Sequence, residues 1–389
     1  MSKPQANFKE QKNETIRKEW KKLELYKFAE LAKDAYLPSK NERLSYIGLE
    51  HIKQQTLSLN SVGKSSDIKS IKFRFKKGDI LFGKLRPYFR KVYKPSFSGI
   101  CSTDIWVVRA KNNFDQDWLF WLLANQDFIN SASGGSGGTR MPRADWNHLK
   151  NTVWLVPELQ EQRQIAEILS SLNDKIELNR RINANLEAMA STLFKKWFVD
   201  IEGELPEGWR IGIFGEAIIN FDSKRIPLSS REREKRQGSY PYYGATSIVD
   251  YVDDFIFDGT YVLLGEDGSV VKEDGKPFVQ YVSGKIWVNN HAHVLRGKNG
   301  FSTEYIKMFI DQVNIMPFVT GAVQPKLNQA NMNVIPMVIP DQKTLSNFNE
   351  LLTALFGIVL KNERQTKNLE RLRDSLSPRL MNGKIRIKI

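Results

Sequence analysis

The sequence predicts an α+β protein: two β-rich domains separated by two long antiparallel coiled-coil helices, related as a pseudo-twofold internal repeat. Three observations predict it. A Gly/Pro motif returns after 183 residues, two heptad seams run without a break, and short apolar runs between Gly and Pro have strand-like composition.

The repeat is read first. GTRMPRADWNHLKNTVWLVP (138 to 157) is answered by GAVQPKLNQANMNVIPMVIP (321 to 340), each with Gly first, Pro five positions along and an apolar run ending in Pro. Upstream, EWKKLELYKFAE (19 to 30) answers GWRIGIFGEAI (208 to 218), GDILFG (78 to 83) answers GTYVLLG (259 to 265), and IWVVRA (105 to 110) answers HVLRG (293 to 297). Each half is therefore a β-rich segment, a Gly/Pro loop, a strand, a proline and a helix. The segments are 1–157, 158–200, 201–340 and 341–389, punctuated by Pro or Gly.

Beyond the final prolines the same offset pairs Ile165 with Phe348, Leu169 with Leu352, Leu172 with Leu355, Ile176 with Val359, Asn179 with Asn362, Leu186 with Leu369 and Leu193 with Leu376. Steps of four and three make each set a heptad seam, with Trp197 and Leu380 at the ends. In the second helix Gly357 is a weak point, and Pro378 and Gly383 are expected to end it. From Ile165 to Trp197 the span is on the order of 50 Å, roughly one and a half turns of duplex DNA. Such a stripe packs either on its own domain or on the other helix. The length of the seams and the shared Asn favour the pair, since a seam Asn fixes register at a cost in stability. Each helix follows its own half, so an antiparallel pair is expected to place the halves at opposite ends.

Composition narrows the function. Lys and Arg exceed Asp and Glu by 58 to 44, a net charge of +14, which favours a polyanionic partner or an anionic surface. Aromatic residues at 11% and apolar residues at 41% describe a packed protein rather than a basic tail. The N-terminus has no apolar stretch of signal length, and the longest apolar run, WLFWLLA (118 to 124), is too short to span a bilayer. A soluble, cytoplasmic protein with no membrane partner is expected. The single cysteine, Cys101, supports neither an internal disulfide nor a cysteine metal cluster, and reads as a small strand residue.

No catalytic or metal residue is assigned. GDILFGKL (78 to 85) has the spacing of a phosphate loop, but Leu85 replaces the hydroxyl residue and Ile80, Leu81 and Phe82 read as a buried strand. Gly63-Lys64-Ser65 has the hydroxyl without the leading glycine, since position 58 is Ser. His291 and His293 would face one side of a strand, as a metal or phosphate contact or as a plain polar face, the latter favoured. EDGSVVKEDGK (266 to 276) reads as hairpin turns at its two Asp-Gly pairs.

Basic and aromatic residues interleaved in loops suit double-stranded DNA. Lys84, Arg86, Tyr88, Arg90 and Lys91 follow the first strand motif, Arg140 and Arg143 flank Pro142, and Tyr243, Gln324, Lys326 and Asn328 are the second-half candidates. Any one of them reads more simply as a solvated surface group, and the set carries the reading.

With those stretches in place, the sequence resembles the specificity subunits of type I restriction-modification systems over nearly the whole chain. The likeness rests on GDILFGKLRPYFRKV, CSTDIWVVRA, the GGTRMPRADW and GAVQPKLN loops, LPEGWRIGIFGE, and the proline, Glu/Gln-rich turn and helix starting at VPELQEQRQIAEILSSLNDK. It implies two target recognition domains, each reading one half of a split asymmetric DNA site, with the helices setting the unread spacer. It also implies a subunit without catalytic residues or cofactor. Its partners are then two methyltransferase subunits using S-adenosylmethionine and, in the full enzyme, two restriction subunits using ATP and Mg. Two departures stand out. Met141-Pro142 replaces the commoner Gln-Pro, and PDQKTLSNFNE lacks the Leu-x-Glu-Gln-Arg of PELQEQR, so methyltransferase contacts are expected to differ between the sides. A catalytic DNA-modifying enzyme and a coiled-coil scaffold without DNA readout are the alternatives. The first lacks a cofactor loop or carboxylate cluster, and the second leaves the duplicated basic halves unexplained.

Overall fold

The computed structural model of the protein describes residues 20–39, 42–134, 141–321 and 324–387. These fall into two compact units, Met1–Leu178 with Gln365–Ile389, and Asn179–Arg364. The division runs through both long helices, whereas the sequence segments set each helix apart as its own piece. The reason is packing: Ile165, Leu169 and Leu380 lie in the core of the first unit, and Phe194, Phe348 and Leu352 lie in that of the second.

In the first unit the inner strand Ile105–Ala110 lies between Ala29–Ala32 and Ile80–Gly83, antiparallel to both, with Val92–Tyr93 outermost. Both faces of this sheet are covered, which is why its strands read as continuous apolar runs. Ile80, Phe82 and Val108 pack on the helix Gln116–Ala124 through Trp118 and Trp121. The alternate residues Leu81, Ile105 and Val107 face Ile47, Phe75 and Cys101 of a second, five-stranded sheet. Cys101 is fully buried there, and burial pushes its thiol up to about 12, so it is inert.

The second unit repeats the plan. Ala292–Gly297 lies between Ile218–Asn220 and Phe257–Gly265, again antiparallel to both. Helix Thr303–Ile310 covers one face. Here the long strand Val279–Val288 extends the sheet to six strands, joining Gln237–Tyr243 in parallel, as Gly99–Cys101 joins Ser45–Ile47 in the first unit. The covering helices start at equivalent caps: Asp115 accepts from the Asp117 and Trp118 amides, and Ser302 from that of Tyr305.

A two-stranded ribbon leads into each long helix, Lys21–Glu24 with Val153–Val156 and Arg210–Ile213 with Pro336–Ile339. The helices are Leu159–Phe198 and Gln342–Met381. Pro378 does not end the second one. So close to the C-terminus it forfeits a single backbone bond, while Ser377, Leu380 and Met381 stay buried, and the turn closes at Gly383 with φ of +71°.

Within each unit the two helical segments run antiparallel. In the first, Ile165 and Leu169 share a core with Leu380 and Met381, and Arg373 donates to Asn173 at 2.8 Å. In the second, Phe194 and Phe198 meet the Phe348 ring at 5.9 and 4.8 Å, and Leu352 and Phe356 join that core. Asn362 donates to Asn183 at 2.9 Å, and Asn183 donates to the Val359 carbonyl at 3.0 Å, so this polar seam site is satisfied between helices. Ile176, Asn179 and Val359 are buried, and Leu172, Leu186, Leu193, Leu355, Leu369 and Leu376 are half-buried. Trp197 is 39% exposed, with Phe194 and Phe198 inside instead. A straight helix drifts about 20° per heptad, so the seam changes side by its end.

The PELQEQR turn is used internally. Glu161, 2% exposed, accepts from Trp20 Nε1 at 3.0 Å and from Arg386 Nε at 2.6 Å, while Gln162 bonds the Pro157 carbonyl and the Asp115 amide. In the second unit Trp209 Nε1 donates to Asp341 instead, at 3.0 Å. Among the described residues no helix is long and apolar enough to cross a membrane.

Phe348→Ala should cost about 3–5 kcal/mol of stability, because it empties a fully buried aromatic site. Met189→Ala on the exposed side of the first helix should stay within about 0.5 kcal/mol, both measured by denaturant unfolding.

Candidate nucleic-acid interface

In both units the Pro-centred loop is fastened to the end of a buried strand by the same backbone bonds. In the first, the Arg86 amide donates to the Pro142 carbonyl at 2.7 Å, the Ala144 amide to Lys84 at 2.8 Å, and the Lys84 amide to Asp104 at 2.9 Å. In the second, Gly268 donates to Pro325 at 3.2 Å, Leu327 to Glu266 at 2.9 Å, and Glu266 to His291 at 2.9 Å. Each loop then starts a short helix, Trp146–Leu149 capped by Asp145 and Gln329–Asn333 capped by Asn328. The chain thus builds one three-segment platform twice, and only its side chains differ.

These bonds settle where the candidate residues stand. Lys84 and Arg143 lie side by side on the first platform, at 4.0 and 3.4 Å from the Asp104 carboxylate. Arg86 sits at the clip itself in a left-handed conformation with φ of +50°, over the Phe89 ring, and Tyr88 beside it is 45% exposed. Arg90 and Lys91 turn inward. Arg90 Nε donates to the Ala124 carbonyl at 2.6 Å, at the end of its helix, and Lys91 Nζ to the Leu49 carbonyl at 2.5 Å. Burial lowers the pKa of both, with Asp374 opposing it for Arg90 and Glu50 for Lys91. Arg140 lies outside the described residues. On the second platform Gln324 is exposed and Lys326 stands 3.5 Å from Glu266, half exposed. The Asn328 side chain accepts from the Asn331 amide as a helix cap. Tyr243 is half-buried in the sheet, and burial pushes its hydroxyl up to about 12.

The two histidines do not share a face. The strand begins only at Ala292, so His291 stays outside it, 48% exposed and paired with Asp267, while His293 is 1% exposed. Both His293 nitrogens meet acceptors, Asp222 at 2.5 Å and the Leu327 carbonyl at 2.7 Å. Arg225 completes the cluster, donating to Glu266 at 2.7 Å and to the Ala292 carbonyl at 2.7 Å. Asp222, Glu266 and His293 have metal-type donors within 4.8 Å of one another. Those donors are spent on each other, on Arg225 and on the loop carbonyl, and the trio serves to brace the loop. Of the two Asp-Gly pairs, Asp274-Gly275 makes a hairpin turn, with Val271 opposite Pro277, while Asp267-Gly268 holds the Pro325 loop. Sequence reasoning passed over Asp104, Asp222 and Arg225, whose only signal is position beside an apolar strand.

Burial works against the Asp222 carboxylate, but hydrogen bonds from His293, Asn220 and the Val294 amide, with the His293 charge, outweigh it and hold its carboxyl below the usual carboxylate range. A depressed carboxyl stabilises the fold fully above its unfolded value, and that contribution is lost as pH falls through the folded value. Asp222→Asn should therefore flatten the acid limb of stability below about pH 4, read from denaturant midpoints against pH.

The family model for the type I restriction modification DNA specificity domain matches residues 17–188 and again 206–371. The type I restriction enzyme MjaIX specificity subunit of Methanocaldococcus jannaschii is 25% identical over 313 residues, 72% of this chain and 71% of that one. The HindI specificity subunit of Haemophilus influenzae is 32% identical over 134 residues, 33% of this chain and only 29% of that one. Among solved structures, the type I restriction-modification S subunit from M. genitalium is similar in fold, with a TM-score of 0.56 at 15% identity over 93% of this chain and 96% of that one. Matched twice by one model, each match covering a β-rich half and most of the helix that follows it, the chain belongs to the type I restriction modification DNA specificity family.

Proposed function

We propose that the chain reads a bipartite, asymmetric DNA site, one platform per half-site, with the paired helices setting the unread spacer. Catalysis belongs to its partners: two methyltransferase subunits carrying S-adenosylmethionine and, in a full restriction enzyme, two ATP- and Mg-dependent restriction subunits. The chain itself contributes recognition and scaffolding.

One observation carries this reading. The same backbone platform occurs in both units, yet Lys84, Arg86, Asp104 and Arg143 in one become Glu266, Gly268, His291 and Lys326 in the other. A shared scaffold with different donors and acceptors is what two unlike half-sites require, because phosphate contacts position while base contacts specify. Among the described candidates, Tyr88, Gln324 and the exposed sides of Lys84, Arg143 and Lys326 are placed to reach DNA. Arg90, Lys91 and Asn328 support them from within the fold. The net charge of +14 supplies the sequence-independent attraction.

Exchanging residues 1–155 for another recognition domain, in the chain assembled with its methyltransferase, should change one half of the methylated site and leave the other half intact. A change in both halves, or in neither, would contradict the modular reading.

A further inference from the structure

The matched backbone bonds set the residues of the two platforms in register, one against the other. Lys84 and Glu266 each accept the loop amide, and their own amides donate to Asp104 and His291. The following strand positions therefore correspond, Trp106 with His293. Val107 stands opposite Ala32, and the Phe221 amide bonds the Val294 carbonyl, so Lys33 corresponds to Asp222.

In the second unit these positions close on themselves through the Asp222–His293 and Arg225–Glu266 pairs. In the first they are Lys33, Lys84 and Trp106, which cannot form such pairs with one another. They border a cavity of about 350 Å³ walled by Trp106, Trp146 and Phe73, with Lys33, Lys84 and Arg143 around it. Trp106 and Trp146 meet edge to face at 5.6 Å, and Trp106 is stacked on Phe82 at 5.8 Å, so the aromatic wall is fixed. The lining carboxylate, Asp145, is occupied as the cap of the next helix, and nearby Asp104 is shared between Lys84 and Arg143. The volume lies at the lower end of small-molecule sites, about 300–1,000 Å³. Flat aromatic walls with surplus positive charge at the rim suit a ligand that is planar at one end and anionic at the other.

We propose that this cavity is a nucleotide site, taking a base against the tryptophan wall and its phosphate on Lys33, Lys84 and Arg143. For a nucleotide within bound DNA, which rests on the reading above, the first half-site would be recognised partly through a base turned out of the stack. The second platform, braced by its ion pairs, would read its half-site without such a pocket. A free nucleotide offers the same chemistry.

The test uses the full chain and two variants at exposed positions, Lys33→Glu and Asn147→Trp, the second chosen to fill the cavity rather than hollow the core. Deoxynucleoside monophosphates are titrated while tryptophan fluorescence is followed. Saturable quenching, weakened about tenfold in both variants, is expected, since stacking on an aromatic side chain contributes on this scale. No saturable binding, or binding that neither variant weakens, overturns the proposal. In a second arm, 2-aminopurine is placed at each position of a duplex carrying the methylated site. A severalfold rise at one first-half position, abolished by Asn147→Trp, assigns the site to bound DNA. Monophosphate binding without that rise assigns it to a free nucleotide. A chain that binds monophosphates but no duplex refutes the DNA reading and leaves the nucleotide site standing.

Discussion

Burial of the ends of the two heptad seams inside the domain cores is the constraint on which the rest depends. Ile165 and Leu169 complete the core built around Trp118, and Phe348 and Leu352 complete the one built around Tyr305. Neither β-rich part is therefore finished without helix from both ends of the repeat. Two polar pairs are satisfied across the seam rather than merely tolerated: Asn362 donates to Asn183, and Arg373 donates to Asn173. Such pairs fix which residues meet, because any slip would bury an amide or a guanidinium without a partner.

From this packing follows the rigidity of the platforms. Each is anchored at the end of a strand covered on both faces, so the loop that carries Arg143 or Lys326 is held by backbone bonds that do not depend on which side chains it carries. Specificity can then change by substitution at the surface while the frame persists. The first platform concentrates cations around an aromatic cavity, and the second neutralises the corresponding positions with buried ion pairs.

The fold was largely legible in the sequence, because repeat and heptad are periodic signals that packing reads directly. The offset that matched Ile165 to Phe348 also placed the Pro157 and Pro340 helix starts correctly, and the continuous apolar run of GDILFG marked a strand buried on both faces. The site was legible only in part. Composition marks Arg90 and Lys91 as basic, yet it cannot show that the carbonyls of Ala124 and Leu49 lie within their reach. Asn328 matched a base-reading residue type, but the helix beginning after it takes its side chain as a cap. His291 and His293 were paired by strand periodicity, and the strand starts one residue too late for that. Asp104 and Asp222 matter through partners far away in sequence, which no local pattern records.

The most direct measurement is a genome-wide map of adenine methylation in cells expressing this chain with the methyltransferase subunit proposed as its partner. The account predicts two short, unlike sequence elements separated by a fixed number of unread bases, both lost when the chain is omitted. A single uninterrupted motif, or a variable gap between the two elements, would contradict it.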